Sequence, residues 1–91
     1  MEIEEFVRAL GINKDIVFEN GVPTVFLDNS NEYAQVYTML MMSDLVDLDQ
    51  QSVVINPDVA SLKCYGQEYN VTLSADLSRD VYKLTIDETM W

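Results

Sequence analysis

Read as a pattern of apolar and polar positions, the chain changes period twice. Ile3, Phe6, Val7 and Leu10 recur at helical spacing, and Gly11 follows where a left-handed helix cap falls, so residues 2 to 10 are predicted to form a short amphipathic helix. Glu2, Glu4 and Glu5 stand at its start, where the helix dipole favours negative charge. The next segment, DIVFENGVPTVFLD (15–28), consists of two β-rich runs around Asn20-Gly21, a dipeptide that accepts the positive φ angles of a tight hairpin turn. Pro23 lacks a backbone donor, so the second strand is expected to have a free edge where Pro23 falls, or to begin after it.

Helical spacing returns in DNSNEYAQVYTMLMM. Asn29 and Glu32 have the spacing of a capping box, and Tyr33, Val36, Tyr37, Leu40 and Met41 form one apolar stripe on a helix from about 30 to 43. Met39 and Met42 fall outside that stripe, which makes the helix apolar over more than half its circumference. Such a helix is either centrally buried or shared with a partner. The rest of the chain alternates with period two: QSVVIN (51–56), a turn at Asn56-Pro57-Asp58, then ASLKCYG, EYNVTLSA and DVYKLTID. Between helix and strands, SDLVDLDQQ (43–51) is a junction. If the strand has begun there, Val46 and Leu48 turn inward together while Asp47 and Asp49 face water.

These elements predict an α+β fold of one domain, residues 1–91. Two helices pack on one side of an antiparallel sheet of about five or six strands, in the order α-β-β-α-β-β-β-β. The 48% hydrophobic content, with 3 Gly and 2 Pro, is that of a folding chain rather than a disordered one. At 91 residues the core is modest.

Charge narrows the choice of partners. Sixteen acidic against five basic residues give a formal net charge of −11, which repels phosphate backbones and anionic lipid surfaces alike, so neither nucleic acid nor membrane is an expected partner. No Lys or Arg occurs between Lys14 and Lys63, whereas Asp15, Glu19, Asp28, Glu32, Asp44, Asp47, Asp49 and Asp58 all fall there, so one region is expected to be purely acidic. The N-terminal residues lack a basic and apolar leader pattern, and the lone Cys64 permits no internal disulfide; both fit a cytoplasmic protein.

The available chemistry is sparse. The chain has no histidine, which removes the common general base and transition-metal ligand. Cys64 is expected to be a core residue, with its neighbour Lys63 on the opposite strand face. Gly11, Gly21 and Gly66 lie in separate turns and build no phosphate-binding loop. The spacing of Asp44, Asp47 and Asp49 fits no EF-hand loop. The expectation is a non-enzymatic protein without cofactor or metal.

Two functional readings remain. In the first, the chain is a protein-binding module whose contact residues include Met39, Met42 and Trp91, because Met and aromatic side chains are enriched at interfaces. The helix closed by ALGI, the hairpin around ENG, the dense negative charge and the later apolar helix followed by strands together resemble the small acidic chaperones of type III secretion, the Tir-chaperone-like family, over residues 1–45. That resemblance implies a homodimer, packed through helix and sheet across a two-fold axis, that holds an unfolded segment of a client protein against hydrophobic patches. In the second reading the chain is a nucleic-acid mimic of the phage type, whose carboxylates replace phosphates in the groove of a basic DNA-binding protein. Asp44, Asp47, Asp49, Glu32 and Asp28 are its first candidates.

Overall fold

The computed structural model describes residues 2–48, 54–55 and 59–88. The order of elements is α1 (Ile3–Ala9), β1 (Val17–Glu19), β2 (Val22–Leu27), α2 (Ser30–Met42), β3 (Val46–Leu48), β4 (Val54–Ile55), β5 (Val59–Gly66), β6 (Tyr69–Asp76) and β7 (Val81–Glu88). The strands form one antiparallel sheet in the order β1-β2-β7-β6-β5-β3, with β4 also paired to β5. The fold is α+β, and the order of helices and strands follows the sequence pattern with one addition. Where one strand over residues 51–56 was expected, two short ones, β3 and β4, lie along β5. Only Val54 and Ile55 of the expected strand are among the described residues, and the turn at Asn56-Pro57-Asp58 lies outside them.

Local signals explain the first half of the chain. Helix α1 ends in a Schellman arrangement: the Ile12 amide donates to the Val7 carbonyl at 3.2 Å and the Gly11 amide to that of Arg8 at 2.9 Å. Ile12 is thereby brought into the core. The hairpin turn has positive φ at both central residues, 53° at Asn20 and 80° at Gly21, as a two-residue turn matched to strand twist requires. Pro23 lies within β2, opposite Phe18, while the β2–β7 ladder begins only at Thr24. The missing donor of Pro23 therefore falls beyond the end of that ladder, which is how a proline is accommodated in a strand flanked on both sides.

Alternation along the three long strands sends Leu62, Cys64, Val71, Leu73, Ala75, Tyr82, Leu84 and Ile86 to one face, where Val25, Leu27 and Val46 join them. Both helices lie on this face. Phe6 and Val7 of α1 and Val36 and Leu40 of α2 complete a single core cluster, in which the Phe6 ring meets Tyr69 at a tilt, 4.9 Å between centroids, and Tyr33 meets Tyr82 likewise at 5.8 Å. Cys64 is buried there as expected, and Lys63 is exposed on the opposite face. Desolvation raises the pKa of the Cys64 thiol, keeping it protonated.

Among the described residues no helix covers the other face of the sheet, yet Thr24 on it is 0% exposed. The strand registers supply the reason. Lys83 stands opposite Phe26, and Glu19 opposite Val22, so their 3.0 Å ion pair runs diagonally across the position of Thr24. The Thr24 hydroxyl is satisfied locally by donating to the Val22 carbonyl at 3.0 Å.

Candidate functional site

Helix α2 connects the two acidic stretches that the sequence singles out. At its N-terminus the Asn29 side chain accepts from the Glu32 amide at 2.9 Å. The Glu32 carboxylate turns back and accepts from the Asp28 amide at 3.0 Å. This is the reciprocal logic of a capping box, moved one residue outward from the cap itself. The Lys14 ammonium then closes the group, pairing with Glu32 and, at 3.3 Å, with Asp28. The hydrogen bond from Lys14, reinforced by that from the Asp28 amide, holds the Glu32 carboxyl below its ordinary pKa. The same bond to Glu32 raises the pKa of Lys14, against the opposing effect of burial.

The expectation of a purely acidic region is corrected here. Of the acids within the basic-free span, Asp28 and Glu32 are held by Lys14, and Glu19 by Lys83. The gap exists in the sequence but not in space at these positions, because the fold brings cations in from outside the span.

The helix phase is corrected too. Val36 and Leu40 are buried, and Tyr33 and Met39 pack against the core, whereas Tyr37 and Met41, both placed on the apolar stripe, are 39% and 50% exposed. Met39 turns inward over Gly11: its sulfur lies 3.5 Å from where a Cβ on Gly11 would be, an ordinary contact distance. What keeps glycine at position 11 is its φ of 97°, in the region that side chains disfavour. Met42 is 79% exposed. From Tyr33 to Met42 the helix has no charged residue. Its outward side is therefore a neutral surface carrying Tyr37, Met41 and Met42, on a molecule of net charge −11.

At the C-terminal end the chain leaves α2 at Ser43, whose hydroxyl accepts from the Leu45 amide at 3.1 Å, and enters β3. Val46 is buried and Asp47 exposed, so the strand alternation favoured for this junction holds over the described residues. Asp44 and Asp47 line a cleft of about 650 Å³ with Phe6, Leu45, Tyr65, Gly66, Gln67 and Glu68. The floor of the cleft is tight at Gly66. A Cβ there would stand 2.5 Å from the Tyr69 carbonyl oxygen and 2.7 Å from that of Leu45.

Of the residues nominated from sequence, the structure thus brings Met42, Asp44 and Asp47 to the surface around one end of α2, and turns Met39 away from it. Asp49 and Trp91 lie outside the described residues. Sequence reasoning placed Tyr37 and Met41 on the same apolar stripe as the core residues Val36 and Leu40, and passed over Phe18, which is 66% exposed on β1.

Among the described residues no group of three or more His, Cys, Asp or Glu side chains is placed to hold a metal ion. No helix among them is long and apolar enough to cross a membrane. No family model matches the chain, and no match is found among curated proteins or solved structures.

Proposed function

We propose that this protein is a non-enzymatic protein-binding module that acts as a homodimer, paired across a two-fold axis through the outward side of α2. The observation that carries the reading is the uncharged run from Tyr33 to Met42 with Tyr37, Met41 and Met42 exposed along it. Exposed apolar surface of this kind marks a contact site. A second copy is the occupant with which it is best matched. Two chains of net charge −11 repel one another over most approaches, but a contact centred on this helix face brings no carboxylate against another at its middle. A basic partner would instead be favoured by carboxylates at the contact, and this face has none. The dimer is also the arrangement implied by the resemblance to secretion chaperones.

The mimic reading rests on the nominated carboxylates. Lys14 already neutralises Asp28 and Glu32, leaving Asp44 and Asp47, at the cleft beyond the other end of the helix, as its described candidates. The homodimer is the better supported of the two.

Sedimentation equilibrium in about 0.5 M salt, where exposed charges are screened within about 3 to 10 Å, tests the proposal. The expected result is a dimer that persists in salt and becomes monomeric in the Met41→Glu, Met42→Glu double variant, with an unchanged circular dichroism spectrum. A monomer at all concentrations, or a dimer unaffected by the double variant, refutes it.

A further inference from the structure

Two copies of α2 can meet running the same way or opposite ways, and the residues of the helix distinguish the two arrangements. Each residue turns a helix by about 100°, so Thr38 points away from Val36 and Leu40, the buried positions two residues to either side of it. Ala34 and Thr38 are exposed on that outward line, and Met42 is exposed at its far end. The Thr38 hydroxyl donates to the Ala34 carbonyl at 3.0 Å, so a partner covering it leaves no donor unpaired. The middle of the outward line is therefore small and satisfied, and a long, flexible thioether stands one turn further on.

A two-fold axis through Thr38, perpendicular to the helix, makes the copies antiparallel and sets each residue against the one equally far from Thr38 on its other side in the partner. Met42 then lies over the partner's Ala34, a large side chain against a small one, and symmetry repeats the contact. In parallel helices Met42 would meet Met42 and Ala34 would meet Ala34, crowding one end and leaving a gap at the other.

Charge favours the same arrangement. The N-terminal end of α2 has Lys14 with Asp28 and Glu32, together with the positive end of the helix dipole. The C-terminal end has Asp44 close beyond it, no basic residue in the last turn, and the negative end of the dipole. Two unequal pairs of like charges repel less when each stronger one faces a weaker one than when strong faces strong. Antiparallel helices achieve this at both ends. Asp44 is as far beyond Thr38 as Glu32 is before it, so each Asp44 stands at the end where the partner's Lys14 holds Glu32.

We infer that the two α2 helices pair antiparallel, crossing at Thr38 at a shallow angle of about 20°, with Met42 of each copy packed on the partner's Ala34. The inference rests on the α2 dimer proposed above and adds its direction and register.

The test is disulfide cross-linking of the full chain under mild oxidation with a glutathione buffer, using Ala34→Cys, Thr38→Cys and Met42→Cys one at a time and in mixtures. All three positions are exposed, so the variants keep their fold, which circular dichroism verifies. The unmodified protein, whose buried Cys64 thiol is protonated, is the control. A disulfide needs Cα atoms within about 7 Å, so Thr38→Cys is expected to link to itself at least ~10-fold faster than Ala34→Cys or Met42→Cys alone. An equimolar mixture of Ala34→Cys and Met42→Cys is expected to link at least ~10-fold faster than either variant alone. Sedimentation equilibrium of the same samples under reducing conditions separates the two ways of failing. A monomer refutes the dimer and this arrangement with it. A dimer in which Ala34→Cys links to itself, Thr38→Cys does not link, or the mixture gives no gain overturns the arrangement alone.

Discussion

The two ends of α2 look alike in sequence and differ in the fold. Asp28 and Glu32 precede and open the helix, Asp44 and Asp47 follow it, and no basic residue is near either pair along the chain. At the first end Lys14 lies between the carboxylates, and the cap, the turned-back Glu32 and the ammonium form one hydrogen-bonded group. At the second, among the described residues, neither Asp44 nor Asp47 makes an ion pair, and both face a cleft. Local charge density in a sequence therefore says little about electrostatic surroundings. What separates the two ends is one lysine, delivered by the turn after α1.

Four changes probe this contrast. The largest effect is expected at the second end, from Gly66→Ala. The new Cβ meets backbone oxygens of Tyr69 and Leu45 rather than a side chain that can move. Relief requires the Leu45–β3 segment to shift away from β5, and urea denaturation is expected to show a loss of about 3 kcal/mol.

At the first end, Asn29→Ala removes the oxygen that accepts from the Glu32 amide, and about 1 kcal/mol of stability is expected to go with it. Glu32→Gln keeps an acceptor for the Asp28 amide but removes the charge facing Lys14, for an expected loss of roughly 0.5 kcal/mol at neutral pH.

The pH dependence of that variant is more informative than its magnitude. The folded-state pKa of Glu32 is depressed, so its contribution is complete above the ordinary value of 4.5 and disappears as pH falls through the folded value. The folded-state pKa of Lys14 is raised, so the same pair holds below the ordinary value of 10.5 and fails as pH rises through the folded one. Thermal melts across acid pH are expected to show a shallower decline for Glu32→Gln than for the unmodified protein. Identical acid limbs would mean that Lys14 does not hold Glu32 in solution.

The smallest effect is expected from the Asp44→Asn, Asp47→Asn double change. With no ion pair to lose among the described residues, stability is expected to move by less than about 0.5 kcal/mol, measured by the same denaturation. A loss comparable to that of Asn29→Ala would erase the contrast between the two ends.

How much of this could be read beforehand depended on the range of the interaction concerned. The hairpin at Asn20-Gly21, the stop of α1 at Gly11 and the cap at Asn29 are each settled within a few residues, and each appears where the pattern places it. The long strands β5, β6 and β7 are legible from alternation alone. The phase of α2 was not, because Tyr33, Val36, Tyr37, Leu40 and Met41 form as coherent a stripe as Tyr33, Val36, Met39 and Leu40. The choice between them is made by the packing of the helix on the core, against which Met39 lies. Likewise Met39 and Met42 appeared equivalent as contact residues until one was found packed on the core.

The sequence by itself determined the class of fold, the order of its elements, the inward set of strand residues and the stretch SDLVDLDQQ as a junction where helix yields to strand. These follow from periodicity and turn chemistry, which act over a few residues. Only the tertiary structure decided which side of α2 is open, which carboxylates have cations, and that Phe18 borders a groove reaching Ile3 and Ile86. Each of these depends on groups far apart in the chain, such as Lys14 with Glu32 or Ile3 with Ile86. Their meeting is fixed by packing the whole sheet, and no local pattern encodes it.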